Sequence, residues 1–155
     1  MARSHRAIRV ALLALAGCAA PAPRPETEPL LPQDLAALPA PVTRENAAEV
    51  VRKCLQRHAA AASDVHRRWG YRFHPDGFEQ VLVETFSDGR RDRWSSLRIS
   101  YAGLGAASAS TRVDPTRLRR ITEVTAGGWT IAFDDPDTAL AFARALELLT
   151  KPSGS

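Results

Sequence analysis

Proline is concentrated near the start of this 155-residue chain, and this limits where a domain can fold. Seven of the eleven prolines lie in residues 19–42. Proline lacks a backbone N–H and biases the preceding residue toward extended geometry, so this stretch is a poor helix and a poor central strand. We therefore expect a semi-rigid tether at 18–42, rising about 3.1 Å per residue where extended. A single domain at 43–151 and a tail at 152–155 would follow.

The proline-rich stretch also contains apolar side chains, and these leave two alternatives open. The segment could dock on the domain, or residues 33–38 could form a short helix. The residues concerned are Leu30, Leu31, Leu35 and Leu38.

A short basic and apolar segment comes first in the chain. Arg3, Arg6 and Arg9 supply positive charge, and an uncharged apolar run over residues 10–16 follows them. The run is too short to cross a bilayer, which needs about 20 residues. The pattern predicts a signal peptide at 1–17 that is removed, so the mature form has no transmembrane helix. Because the three arginines leave with it, the formal charge of +4 does not indicate nucleic-acid binding.

The apolar run ends in the motif Leu15-Ala16-Gly17-Cys18. This motif resembles the lipobox of bacterial lipoproteins, which implies cleavage before Cys18 and acylation of its sulfur and its new amino group. Two or three acyl chains would form a stable anchor, because each buried methylene contributes about 0.8 kcal/mol. Inner-membrane lipoproteins commonly have aspartate after the cysteine, so Ala19 implies an outer-membrane location that faces the periplasm.

The rest of the chain has the periodicities of helices and strands. Apolar residues at helical spacing predict a helix over 44–62, with Thr43 as its N-cap. Asp135 and Pro136 suit the N-cap and first turn of a last helix over 136–149. Alternating segments between turn sequences predict strands at 69–73, 78–86, 92–101, 118–125 and 129–133, with a weak sixth candidate at 104–113.

This element order is α+β, with an N-terminal helix, an antiparallel meander of five or six strands and a C-terminal capping helix. The direct passage from strand to helix at 129–149 resembles the end of a pleckstrin-homology-like domain. That resemblance covers about 69–149 and implies a partly open barrel. Such domains bind lipids, peptides or no known ligand, so the fold does not assign a function.

Cysteine and histidine do not form a metal-binding pattern in this sequence. Cys54 and His58 share a helical face, but they lie on its apolar stripe and no second ligand pair follows, so we expect core packing and no metal or cofactor. Cys54 is the only free thiol once Cys18 is acylated, which excludes a disulfide within the chain. His66 and His74 each have an aspartate two residues away, but neither has a nucleophile motif nearby.

Arginine is frequent between residues 67 and 120, a segment that contains eleven arginines and six acidic residues. Many of these charges belong to a solvated surface. Guanidinium groups also match the geometry of phosphate, so a basic sheet face could bind anionic head groups. The candidate anion-binding residues are Arg98, Arg117, Arg119 and Arg120.

The sequence favours a lipid-anchored envelope protein whose domain is a non-enzymatic binding or scaffolding module. Its partners would be the membrane, through Cys18, and an envelope protein or anionic lipid. The alternative is an anion- or lipid-head-group-binding module that uses the arginine-rich strands. A hydrolase that uses His66 or His74 is the third hypothesis.

Replacing the acylation site tests the anchor. Cys18→Ser removes the thiol that takes the diacylglyceryl group, so we expect loss of palmitate labelling and of globomycin-sensitive processing. Cys54→Ser is the control, and it should retain both. A Cys18→Ser protein that still incorporates palmitate would contradict the anchor.

Overall fold

A computed structural model describes residues 22–151 of the chain. The predicted signal peptide, the acylation site Cys18, the sorting residue Ala19 and the tail at 152–155 lie outside the described residues. Within 22–151, no helix has the length and apolar character needed to cross a membrane.

The described part of the chain is α+β, as the sequence predicts, with three α-helices and six strands. In chain order these are α1 Ala47–Ala62, β1 Arg67–His74, β2 Gly77–Glu84, β3 Arg93–Ser100, α2 Tyr101–Leu104, β4 Ala107–Asp114, β5 Arg119–Ala126, β6 Trp129–Phe133 and α3 Pro136–Thr150.

The strands form two antiparallel meanders rather than one. Sheet A has the order β1-β2-β3 and sheet B has the order β4-β5-β6. The predicted number of strands and their antiparallel pairing are confirmed, whereas a closed barrel is not shown. The short helix α2, which the sequence pattern did not predict, lies between the two sheets along the chain, and its residues Tyr101 and Leu104 are buried in the core. Four residues are too few to display a helical period.

Helix α1 begins later than predicted, at Ala47. The Asn46 side chain accepts the Thr43 N–H at 2.8 Å and donates to the Pro41 carbonyl at 3.0 Å, which holds residues 41–46 in a turn. Thr43 is therefore not the N-cap. Helix α3 begins as predicted, because the Asp135 side chain accepts backbone N–H groups of its first turn.

The core lies where α1 and α3 meet the two sheets. Phe78 of β2 contacts Trp129 of β6 with 5.4 Å between ring centroids, and Phe133 contacts Phe142 of α3 at 5.2 Å. The Trp129 indole N–H also donates to the Gln80 side chain at 3.0 Å. Side chains therefore join the two sheets.

Residues 24–42, named here the N-terminal strap, differ from the predicted free tether. The Glu28 N–H donates to the Tyr71 carbonyl at the edge of β1, at 2.8 Å. Leu38 and Val42 pack against the core. The docking alternative thus describes residues 28–42, and a 3-10 turn at Pro32–Asp34 stands in place of the helix considered at 33–38.

A buried carboxylate, rather than the leucines, fixes the strap to α1. Leu30, Leu31 and Leu35 are all substantially exposed. The Asp34 side chain is 0% exposed, pairs with the Arg52 guanidinium and accepts the Leu31 N–H at 2.8 Å. A buried carboxylate is stable only when its oxygens have such partners.

Neutralising this carboxylate tests the docking. Asp34→Asn keeps the shape of the side chain and removes the charge that Arg52 meets, so we expect the free energy of unfolding to fall by about 2 kcal/mol. Urea denaturation of the mature chain measures this change. Glu26→Gln, at an exposed position of the same strap, should change it by less than about 0.5 kcal/mol. Equal stability of the two variants would contradict a docked strap.

Candidate functional site

A cleft of about 530 Å³ opens between the C-terminal half of α1, the β4–β5 end of sheet B and the start of α3. Its volume falls within the range of about 300–1,000 Å³ that small-molecule sites occupy. The apolar part of its lining is Ala61, Ala62, Ile121, Ala132 and Phe133.

His58 of α1 lines the cleft and is surrounded by aromatic rings. Its imidazole lies 5.6 Å from the Trp69 ring and 6.0 Å from the Phe133 ring, centroid to centroid, in edge-on geometry. Burial lowers the pKa of His58 to about 4, and the nearby Asp134 only partly opposes this effect. The imidazole is therefore neutral at neutral pH.

The tautomer of His58 follows from its hydrogen bond to Tyr71. The Tyr71 hydroxyl lies 2.9 Å from Nδ1 of His58 and has no other partner within residues 22–151. Burial raises the pKa of Tyr71 well above its ordinary value, so the phenol keeps its hydrogen. Donating that hydrogen to Nδ1 satisfies it, whereas accepting a bond would leave a buried O–H unpaired. His58 thus carries its own hydrogen on Nε2, the donor that it offers to the cleft.

Three aspartates line the cleft, and each is already engaged. Asp114 accepts two backbone N–H groups of its own turn, and these bonds lower its pKa. Asp135 caps α3, and the hydrogen bond from the Thr138 side chain is the main cause of its lowered pKa. Asp134 is paired with Arg119 at 2.9 Å. The acceptor capacity of the cleft is therefore largely used within the protein.

Three arginines line the same cleft, and they differ in how they are bound. Arg57 donates to carbonyls of the strap and to the Thr138 hydroxyl at 3.3 Å. Arg112 is paired with Glu123 at 2.7 Å. The Arg117 guanidinium has no hydrogen bond or ion pair in the part of the chain that the structure describes. Arg117 thus has no direct partner among these residues, and its charge helps to lower the pKa of the neighbouring Asp114 carboxylate.

The four arginines predicted as an anion site lie on different surfaces. Arg117 lines the cleft, whereas Arg119 is paired with an aspartate at its edge. Arg120 follows Arg119 on β5 and so points to the opposite face of sheet B. Arg98 lies in sheet A and binds Asp76 at 2.6 Å. The structure therefore brings only Arg117 and Arg119 near one another at the cleft.

The two histidines considered for hydrolysis have other surroundings than the sequence suggested. The Asp64 carboxylate accepts the backbone N–H of His66 at 2.7 Å instead of pairing with its ring. The carboxylate two residues after His74 belongs to Asp76, which binds Arg98. His66 lies just before β1 and His74 is the last residue of that strand, so the two do not form one site.

Cys54 packs in the core, as the apolar stripe of α1 predicts. Its side chain is buried, and its Sγ–H donates to the Thr138 carbonyl at 3.6 Å. Burial raises the pKa of Cys54 to about 12, which keeps the thiol protonated and unreactive. No group of three metal-ligating side chains is found between residues 22 and 151.

Comparisons of the chain with protein-family models, with curated proteins and with solved structures found no match. The chemistry of the cleft is therefore the guide to function.

The lowered pKa of His58 predicts a specific pH dependence of stability. Between pH 6.5 and pH 4, His58 is protonated in the unfolded chain but stays neutral in the folded chain. The free energy of unfolding therefore falls as the pH falls. We expect His58 to contribute up to about 1.4 kcal/mol per pH unit in this window. His58→Gln keeps a hydrogen-bond acceptor for Tyr71 but does not titrate, so its unfolding free energy should fall less steeply.

Urea denaturation at several pH values between 4 and 7 makes this comparison. His66→Gln is the control, because the His66 side chain is exposed and its replacement should leave the slope unchanged. Identical slopes for the wild-type chain and His58→Gln would show that His58 is not the buried neutral imidazole described above.

Proposed function

We propose that this chain is a lipid-anchored envelope protein of the outer membrane, faces the periplasm, and uses its domain as a non-enzymatic binding module. The lipobox that ends at Cys18 supports the anchor. The cleft beside α1 supports the binding role, because it is concave and combines five apolar residues with polar and charged side chains.

The polar groups of the cleft favour an acidic amphipathic ligand. Its aspartates are occupied by backbone N–H groups or by an arginine, so they have little to offer a ligand that donates hydrogen bonds. Among the described residues, the unused donors of the cleft include Nε2 of His58, the guanidinium of Arg117 and the Thr116 hydroxyl. A molecule with an apolar body and one carboxylate complements this combination, and a fatty acid is the simplest example.

Of the four arginines predicted to bind an anion, only Arg117 has that role in this proposal. Arg117 meets the anionic head of the ligand, while Arg98 and Arg119 are held by acidic partners and Arg120 lies on the other face of β5. The resemblance to a pleckstrin-homology-like domain over about 69–149 stays a prediction, and the passage from β6 into α3 on which it partly rests borders the cleft.

The protonation state of His58 in the cleft supports a binding role rather than hydrolysis. A general base works best when its pKa lies near the working pH. The pKa of His58 is lowered to about 4, and Tyr71 already occupies its Nδ1. His58 is therefore suited to donate a hydrogen bond and poorly suited to accept a proton from water.

Three ten-carbon probes with different head groups test the ligand class. We expect decanoate to bind the mature protein at least ten-fold more tightly than decanol or decyltrimethylammonium, by isothermal titration calorimetry. Arg117→Ser should weaken decanoate binding about ten-fold and leave decanol unchanged, because only the carboxylate uses the guanidinium.

Arg120→Ser is the matched control, since Arg120 is an exposed arginine of the same segment that does not line the cleft. Ala61→Phe fills the cleft from an exposed position of α1 and should remove binding of decanoate and decanol alike. Decanoate binding that survives both Arg117→Ser and Ala61→Phe would contradict the cleft as the site.

A further inference from the structure

The N-terminal strap passes over the outer face of sheet A before it reaches α1. Gly70 of β1 is paired with Val81 of β2, and both lie on the face that points away from the core residue Tyr71. A Cβ added to Gly70 would come within 2.7 Å of the Thr27 side chain, so the strap lies directly on this face. Thr27 and Arg24 thereby help to cover Val81 and Val83, which are buried.

This path leaves only a short connection to the proposed lipid anchor. Arg24 comes six residues after Cys18, and it lines a small cavity together with Arg68 and Val83. An extended chain spans at most about 3.6 Å per residue, so the connection reaches about 22 Å. A free tether over 18–42 would reach several times farther. The docked strap therefore holds the outer face of sheet A close to the bilayer.

The chemistry of this face fits a membrane surface. The alternate residues of β1, β2 and β3 place Arg68, Arg72, Arg98 and Glu79 on it, and Arg98 is paired with Asp76 at 2.6 Å. Arg72 has no ion pair within the described ranges, and Arg68 has only an exposed partner, Asp92, at 3.8 Å. Arginines near an anionic surface contribute about 1 kcal/mol each, and the half-buried Trp94 is a residue type favoured at membrane interfaces.

We infer that the outer face of sheet A rests on the anionic head groups of the bilayer that holds the anchor. The inference depends on the proposed acylation of Cys18. It assigns the surface a role separate from the cleft, because no residue of the outer face of sheet A lines the cleft.

Head-group quenching of a fluorophore tests this orientation in the full acylated protein. The protein is inserted into phosphatidylethanolamine–phosphatidylglycerol vesicles that contain a quencher-labelled head group. One variant has Ser96→Cys, an exposed position of the outer face of sheet A, and the matched control has Ser108→Cys, an exposed position of sheet B. Cys54 stays unlabelled because its thiol is buried and protonated.

We expect at least three-fold stronger quenching at position 96 than at position 108. Twenty Gly and Ser residues inserted between Ala20 and Pro21 should reduce that difference, because the longer connection releases the domain from the surface. Equal quenching at the two positions, with Cys18 acylated by mass spectrometry, would overturn the orientation and leave the anchor intact. An unmodified Cys18 would overturn the anchor, and this inference with it.

Discussion

The contact between Asp34 and α1 holds the first part of the described chain to the domain. Asp34 is buried, and the Arg52 guanidinium and the Leu31 N–H satisfy its carboxylate. The Asp34 carbonyl accepts a further bond from Nε of Arg57 at 3.3 Å. Burying the Asp34 carboxylate without partners would cost several kcal/mol, on the order expected for a buried charge. The strap therefore docks only when these bonds form. A proline-rich stretch with few internal hydrogen bonds thereby becomes part of the fold.

Arg57 links this contact to the cleft. Its guanidinium donates to strap carbonyls on one side and to the Thr138 hydroxyl at the start of α3 on the other, and it also lines the cleft. The position of the strap and the shape of the cleft therefore share one side chain. The same strap determines how far the domain stands from the proposed anchor at Cys18. The strap and Arg57 thus connect the proposed ligand cleft to the proposed membrane anchor.

Local patterns in the sequence predicted most of the elements but little of how they assemble. The 3.6-residue period and the Asp135 cap located α1 and α3, and turn residues located the hairpins. The break between the sheets was missed because α2 is a single turn. Asp34 was missed because its partner, Arg52, is eighteen residues away and no period connects them. The His58–Tyr71 bond likewise joins a helix to a strand, so the sequence indicated that His58 is in the core without indicating its tautomer or its place at a cleft.

Hydrogen exchange of the strap amides tests the central claim, that residues 28–36 are docked on the domain. The N–H groups of Glu28, Leu31 and Asp34 each donate to a protein acceptor at 2.8–2.9 Å. We expect exchange at these three amides in the mature chain to be at least a hundred-fold slower than in an unstructured peptide of the same sequence. Exchange at the rate of the free peptide would show that the strap is a solvated tether, and would contradict the short connection to the membrane.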